Sequence, residues 1–290
     1  MKLNPKINND NINFINGHWL DANKIVVSAF DLTVIRGYGV FDFIKSYNKK
    51  FLWVDDYLDR FFNSADNYYL NVPYSKKQIK KLLNDALTRN PRDDIYVRII
   101  LTGGISLDTL SPGVNNSFIM LINYVHQVDS ALYLNGTRFI THHGIRDSPR
   151  VKSTNYSNAI YARGKNNHKN YLDILLTDDT AERRIYEGSV NNVFFVKDNK
   201  IITAPDDLVL GGIIRNKVIK LLGEMNIEVE YKLLKYADLN EIDEMIATNS
   251  SLKVYPVIKV DNIIISKKPG PLTKKLIKSL NEIIINDSKL

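Results

Sequence analysis

Apolar residues recur along this chain with two different periods, and the switch from one to the other marks out its elements. Over Asp55 to Leu70, Leu58, Phe61, Phe62, Ala65 and Tyr69 fall on one face of a 3.6-residue repeat, which predicts a helix that Asp55 or Asp56 can cap. Ile79, Leu82, Leu83 and Ala86 repeat the pattern behind Ser75, predicting a second helix over Ser75–Leu87 with Ser75 as its cap. Short apolar runs predict strands at Ile95–Leu101 and Phe118–Tyr124. The turn residues from Thr102-Gly103-Gly104 to Ser111-Pro112-Gly113 predict the loop between them. Ahead of these, Asn13–Leu20 reads as a hairpin, because Asn16-Gly17 supplies the positive φ angles of a two-residue turn.

The pattern resumes after a polar stretch at His126–Asn135. Strands are predicted at Arg138–His142, Leu172–Thr177, Val193–Val196, Glu228–Leu234, Glu244–Ala247 and Lys253–Val260, and helices at Tyr156–His168, Ile213–Met225 and Leu272–Ile284. No internal repeat or low-complexity tract interrupts the series. The order implies an α+β fold of two domains, residues 1–125 and 136–290, joined by a linker at 126–135, with the cleft between the domains as the expected site.

Composition narrows the function. The chain has 290 residues, 44% of them hydrophobic, and its apolar runs stop far short of the roughly 20 residues that a membrane span needs. Met1-Lys2-Leu3-Asn4-Pro5-Lys6 leads into polar sequence without the apolar stretch of a secretory signal, so a cytoplasmic protein without membrane partners is expected. Zero cysteines exclude disulfides, thiolate metal sites and a cysteine nucleophile. The net charge of +7 raises the question of nucleic acid. Its lysines are scattered or lie on helix faces, as at Lys76, Lys77, Lys80 and Lys81, and no zinc-finger or RNP-like signature accompanies them. No nucleic-acid partner is expected, and the field suits anionic substrates instead. Among the five histidines only His142 and His143 adjoin, and neighbours on a strand face opposite ways, so no metal is assigned.

Two runs carry the chemistry. Lys152 stands in Val151-Lys152-Ser153-Thr154-Asn155-Tyr156, and Glu187 opens Glu187-Gly188-Ser189-Val190-Asn191-Asn192-Val193-Phe194. Together they read as a pyridoxal phosphate site, an amine for the aldehyde and a carboxylate for the pyridine nitrogen. Gly211-Gly212 opens a helix, where unpaired amides and the helix dipole can hold a phosphate, although such a pair can equally be a plain turn. The hydroxyls of Thr248-Asn249-Ser250-Ser251 could add donors or merely end a strand. Arg60, beside Asp55, Asp56 and Asp59, is either a surface ion pair or a phosphate ligand.

These runs, in this order, resemble the class IV aminotransferases, the fold-type IV pyridoxal phosphate enzymes that include branched-chain and D-amino-acid aminotransferases and aminodeoxychorismate lyases. The likeness extends from Phe14-Ile15-Asn16-Gly17 to Val254-Tyr255-Pro256-Val257. It implies a homodimer with pyridoxal 5′-phosphate in the cleft between domains. It makes Lys152 the catalytic lysine and covalent anchor, Tyr156 the partner of the phenolic oxygen, Glu187 the partner of the pyridine nitrogen and Arg60 a phosphate ligand. Gly212-Ile213-Ile214-Arg215 resembles a stretch that usually reads Gly-Ile-Thr-Arg, so with Ile214 for threonine only the backbone amides of Gly212, Ile213 and Ile214 can serve the phosphate. Ser250 takes a phosphate-binding threonine position, and Ser251 one whose backbone lies near the substrate carboxylate.

On the substrate side, Tyr96-Val97-Arg98 resembles the Tyr-x-Arg strand of branched-chain enzymes, and Phe41 is the aromatic residue of Arg36-Gly37-Tyr38-Gly39-Val40-Phe41-Asp42. Arg36 there replaces an aromatic residue, as in a less typical D-amino-acid group that binds carboxylates through relocated arginines. It could equally be a surface or dimer-interface ion pair. The reading is an aminotransferase acting between an amino acid, of branched-chain L or D type, and a 2-oxo acid such as 2-oxoglutarate. The alternatives are a pyruvate-releasing aminodeoxychorismate lyase, or a basic binding protein that uses the fold without catalysis.

Overall fold

The computed structural model describes residues 11–167 and 170–289. The segment Met1–Lys6 and the end of the expected helix at His168 lie outside the described residues. Contacts divide the chain into two units, and the division is less simple than a cut at 126–135. The first unit takes in the residues up to His126, Val151–Asn155 and the segment from Ile285; the second takes in Gln127–Arg150 and Tyr156–Ile284. Lys152 therefore packs with the first unit although it follows the start of the second.

The first unit contains β1 (Ile12–Ile15), β2 (His18–Asp21), the short α1 (Leu32–Arg36), β3 (Gly39–Tyr47), β4 (Lys50–Phe51), α2 (Val54–Asn67), α3 (Lys76–Arg89), β5 (Ile95–Thr102) and β6 (Phe118–Tyr124). Its sheet runs β2-β1-β6-β5-β3-β4, antiparallel throughout. The hairpin forms as the Asn-Gly pair dictates, with φ of 47° at Asn16 and 93° at Gly17. Strand alternation turns Val40, Ile44, Val97, Ile99 and Leu101 into a core that the buried residues Leu58, Phe61 and Ala65 of α2 extend. It sends Phe41, Phe43, Tyr96 and Arg98 to the other face.

Helix ends depart from expectation. α2 starts after Trp53, whose φ is 54°, so Asp55 and Asp56 do not cap it but stand in its first turn, where carboxylates favour the positive end of the dipole. Ser75 caps α3 in a reciprocal box with Gln78. Leu82 is only half-buried, off the stripe formed by Ile79, Leu83 and Ala86.

The second unit begins with α4 (Ala131–Asn135), a helical turn inside the stretch expected to be a linker. It continues with β7 (Thr137–His143), α5 (Ser157–Lys165), β8 (Asp173–Thr177), β9 (Arg184–Gly188), β10 (Asn192–Lys197), β11 (Lys200–Thr203), α6 (Ile213–Glu224), β12 (Val229–Tyr231), β13 (Leu234–Lys235), β14 (Glu244–Asn249), β15 (Lys253–Val260), β16 (Ile263–Ile264) and, up to Ile284, α7 (Pro271–Lys289). The mixed sheet runs β12-β11-β10-β14-β15-β7-β8-β9-β13, with β16 on β15. Phe139, Leu175, Phe195, Met245, Tyr255 and Val257 form its core. The strand expected over Glu228–Leu234 is two strands, because β12 pairs with β11 and β13 with β9 at opposite ends of the sheet. Tyr156 is the residue before α5 rather than its first turn.

Candidate active site

The run around Lys152 crosses the start of β3. Phe41 N donates to Lys152 O at 2.9 Å, and Thr154 N donates to Gly39 O at 2.9 Å. Lys152 N donates to Ser64 Oγ on α2 at 3.1 Å. The backbone of the lysine is thus held from a strand and a helix. Gly39 permits the crossing, since a Cβ there would lie 2.7 Å from Thr33 Oγ1 and 3.2 Å from Thr154 Oγ1. From this frame the Lys152 ammonium stands 4.7 Å from the centre of the Phe41 ring. Arg98, opposite Phe43 in the ladder, lies 5.8 Å from Phe41 and 5.9 Å from Phe43, and Tyr96 stacks on Phe43 at 4.8 Å. One face of the sheet therefore brings together Lys152, Phe41, Tyr96 and Arg98.

Arg60 turns to Asp42. Its Nε and Nη2 donate to the two oxygens of Asp42 at 2.9 and 2.7 Å, and Asp42 is fully buried in β3. Asp55 and Asp59 pair instead with Lys80 and Lys76. Arg36 is exposed at the end of α1 and donates to Ile35 O at 3.1 Å and Thr109 Oγ1 at 3.4 Å.

In the second unit Glu187, next to last in β9, is 3% exposed. Arg146 Nε meets Oε1 at 2.8 Å. Asn192 Nδ2 and Leu210 N donate to Oε2 at 2.9 and 3.3 Å. Oε2 is thus held by two hydrogen-bond donors, while Oε1 faces the Arg146 guanidinium as an ion pair. Arg146 also donates to Ser189 O at 2.9 Å, is hydrogen-bonded to Tyr156 and lies 5.5 Å from the centre of its ring. Burial works against its charge, but Glu187 and Tyr156 outweigh burial and hold its pKa above the ordinary guanidinium value. Arg146 thereby joins the two residues that the resemblance assigns to the nitrogen and the phenolic oxygen of one ring.

Asn192 reaches further, donating also to Leu210 O at 2.8 Å. Its Oδ1 lies 1.9 Å from where a Cβ on Gly212 would stand, so that position accepts no side chain. Gly212 precedes α6, and no side chain caps that helix among the described residues. Ile213 and Ile214 are buried in its first turn, which leaves backbone amides as the donors there. Ser250 and Ser251 are half-buried after β14, and Ser251 N donates to Asn249 Oδ1 at 2.9 Å. That bond engages the backbone N–H at the position whose backbone the resemblance sets near the substrate carboxylate.

Sequence reasoning missed Arg146, Asn192 and Asp42. Asn192 lies inside the Glu187 run, and Asp42 inside the Arg36 run, so both stood within motifs already singled out. Arg146 sits in an aperiodic loop, and nothing in its neighbourhood marks it.

The residues fit pyridoxal phosphate: an amine set against an aromatic ring, a buried carboxylate fixed by an ion pair on one oxygen and by hydrogen bonds on the other, and a helix start where a side chain would displace the Asn192 amide. The family model for amino-transferase class IV matches residues 39–260, and the chain belongs to that family. It is 31% identical over 280 residues, 93% of this chain and 95% of the relative, to a Methanocaldococcus jannaschii protein named "Putative branched-chain-amino-acid aminotransferase". It is 27% identical over 278 residues to the D-alanine aminotransferase of Listeria monocytogenes serotype 4b, covering 93% of this chain and 95% of that one. The T.th. branched-chain amino acid aminotransferase, solved with pyridoxamine 5′-phosphate, shares the fold, with a TM-score of 0.86, 22% identity and 94% of each chain covered. This protein is a pyridoxal phosphate-dependent aminotransferase of fold type IV, acting between an amino acid and a 2-oxo acid.

Proposed function

We propose that the reaction passes an amino group from a branched-chain L-amino acid or a D-amino acid to 2-oxoglutarate, and that Lys152 and Glu187 are the residues that carry it. The buried Glu187 carboxylate, held by Arg146 on one oxygen and by Asn192 and Leu210 on the other, supports this reading most directly. Pyridoxal 5′-phosphate supplies an electron sink conjugated to the substrate's Cα. Lys152 Nζ would hold its aldehyde and would carry the proton between the substrate's Cα and the cofactor. Glu187 keeps the pyridine nitrogen protonated. Tyr156, steadied by Arg146, donates to the phenolic oxygen. The amides of Gly212, Ile213 and Ile214, the Ser250 hydroxyl and Arg60, oriented by Asp42, hold the phosphate.

Arg98 reads the carboxylate of the substrate, and its place between Phe41 and Phe43 favours a rigid, charge-assisted contact. Phe41 and Tyr96 line the same face, and Ser251 lends its hydroxyl to the substrate end. The two substrate types come from the names of relatives, one branched-chain and one D-alanine. We place the enzyme in the cytoplasm as a homodimer, with Arg36 on the dimer face. No described helix is long and apolar enough to cross a membrane.

Borohydride reduction of the loaded enzyme followed by peptide mapping tests the assignment. The reduced adduct is expected on Lys152, and Lys152→Ala should lose adduct and transamination together. An adduct mapped to another lysine overturns the reading.

A further inference from the structure

Behind Glu187 lies a second polar system. Asp173, 1% exposed at the start of β8, accepts from Arg163 Nη2 at 2.8 Å, from Val190 N at 3.3 Å, from the Ser189 hydroxyl and from Asn191 Nδ2. Asn191 is itself buried, and its Oδ1 accepts from the Tyr255 hydroxyl and from Asn249 Nδ2. Asn249 Oδ1 in turn accepts the amides of Ser251 and Leu252, at 2.9 and 2.6 Å. The polarity of this chain runs one way. A carboxylate only accepts, so Asn191 must point its amide nitrogen at Asp173 and its oxygen away. Backbone amides only donate, so Asn249 must point its oxygen at Ser251 and Leu252, and its nitrogen at Asn191. Burial, with the charge of Asp173, pushes the Tyr255 phenol well above its ordinary value and keeps it a donor to Asn191. An amide at 191 satisfies every neighbour; a carboxylate or an apolar group would not.

We infer that Asn191 is a positioning residue that ties the turn after Glu187 to the Ser250–Ser251 turn, so that the grips on the pyridine nitrogen and on the phosphate form one rigid unit. The inference rests on the proposed roles of Glu187 and Ser250. The two turns follow different strands, β9 and β14, and the Asn191–Asn249 bond joins them. Asn191 therefore acts through others and touches no reacting atom.

The test is titration of apo-protein with pyridoxal 5′-phosphate and, separately, with pyridoxal, which lacks the phosphate. The ratio of the two affinities measures the phosphate grip. In Asn191→Ala that ratio is expected to fall about tenfold or more, as the loss of an oriented hydroxyl on an anion requires, while pyridoxal binds nearly as before. In a Ser250→Ala background, Asn191→Ala should change the ratio no further, because the two act on the same contact. Asn249→Ala, at the half-buried end of the chain, should give the same fall and decides the matter if Asn191→Ala does not fold. A folded Asn191→Ala or Asn249→Ala with an unchanged ratio, or a fall that persists in the Ser250→Ala background, overturns the inference while leaving the site reading intact. An unchanged ratio in Ser250→Ala alone removes the phosphate role of Ser250, and this inference with it.

Discussion

A guanidinium and a carboxylate taken out of water stabilise a fold only while both are present, since either one left alone is a buried charge without compensation. Arg146 and Glu187 are such a pair, and the protein retains them where two apolar residues would pack without that liability. The proposed reaction supplies a reason. In the role proposed for Glu187 a carboxylate must be fixed against a pyridine nitrogen, and Arg146 sets a positive charge against it while also touching Tyr156. Arg146→Met should therefore cost about 3–5 kcal/mol in denaturant unfolding of the apo-protein, because Glu187 is left buried and unpaired. The double variant Arg146→Met with Glu187→Gln should recover much of that stability, yet remain slow in Cα proton removal. Unfolding of Arg146→Met at the parent's denaturant midpoint would show that the pair does not organise the site. So would a double variant with the parent's half-reaction rate.

At the scale of elements, the glycines before α6 separate two kinds of loop glycine. A Cβ at Gly211 meets nothing within 4 Å, whereas one at Gly212 would strike Asn192 Oδ1, the amide that holds Glu187. Gly212→Ala should thus weaken pyridoxal 5′-phosphate binding by about tenfold or more, while Gly211→Ala stays within a few-fold, as read by apo-protein titration. Equal effects would mean that the helix start is not keyed to Asn192. The same neighbourhood shows why the sequence was only partly legible. β6 and β15 have the bounds that their apolar runs predict, because burial there follows hydrophobicity. β9 was invisible, because its buried positions include Glu187 and its exposed edge carries Arg184 and Tyr186. β3 likewise buries Asp42 among Val40 and Ile44. Periodicity equates inward with apolar, and it fails at strands that bury charge for the site's sake. Lys152 and Glu187 could be singled out by the runs around them. Their supports could not, since Arg146 and Asn249 gain meaning only from contacts made across the sheet.

For the molecule as a whole, the first unit exposes a group of large apolar residues of the kind that mark association surfaces. Val26, Phe30 and Val34 on the segment leading through α1 are exposed, Phe30 to 75%, and so are Leu107, Leu110 and Val114 on the loop between β5 and β6, Leu110 to 84%. The two segments form one surface. Leu32 N donates to Gly104 O at 2.8 Å, Ile105 bridges to both Asp31 and Val114, and Arg36 reaches Thr109. Stable interfaces bury about 800 Å² on each partner around a few large apolar anchors, and Phe30 with Leu110 supplies anchors of that kind. A net charge of +7 opposes self-association, so the apolar contact must overcome repulsion between like chains, and a dimer held this way should tighten as salt screens the charge. We accordingly expect sedimentation analysis to find a dimer whose dissociation constant falls with rising salt, and Phe30→Asp with Leu110→Asp to shift it to monomer without loss of fold by circular dichroism. If the double variant remains dimeric, the homodimer forms through another surface. A parent that sediments as a monomer at all salt concentrations refutes the homodimer itself.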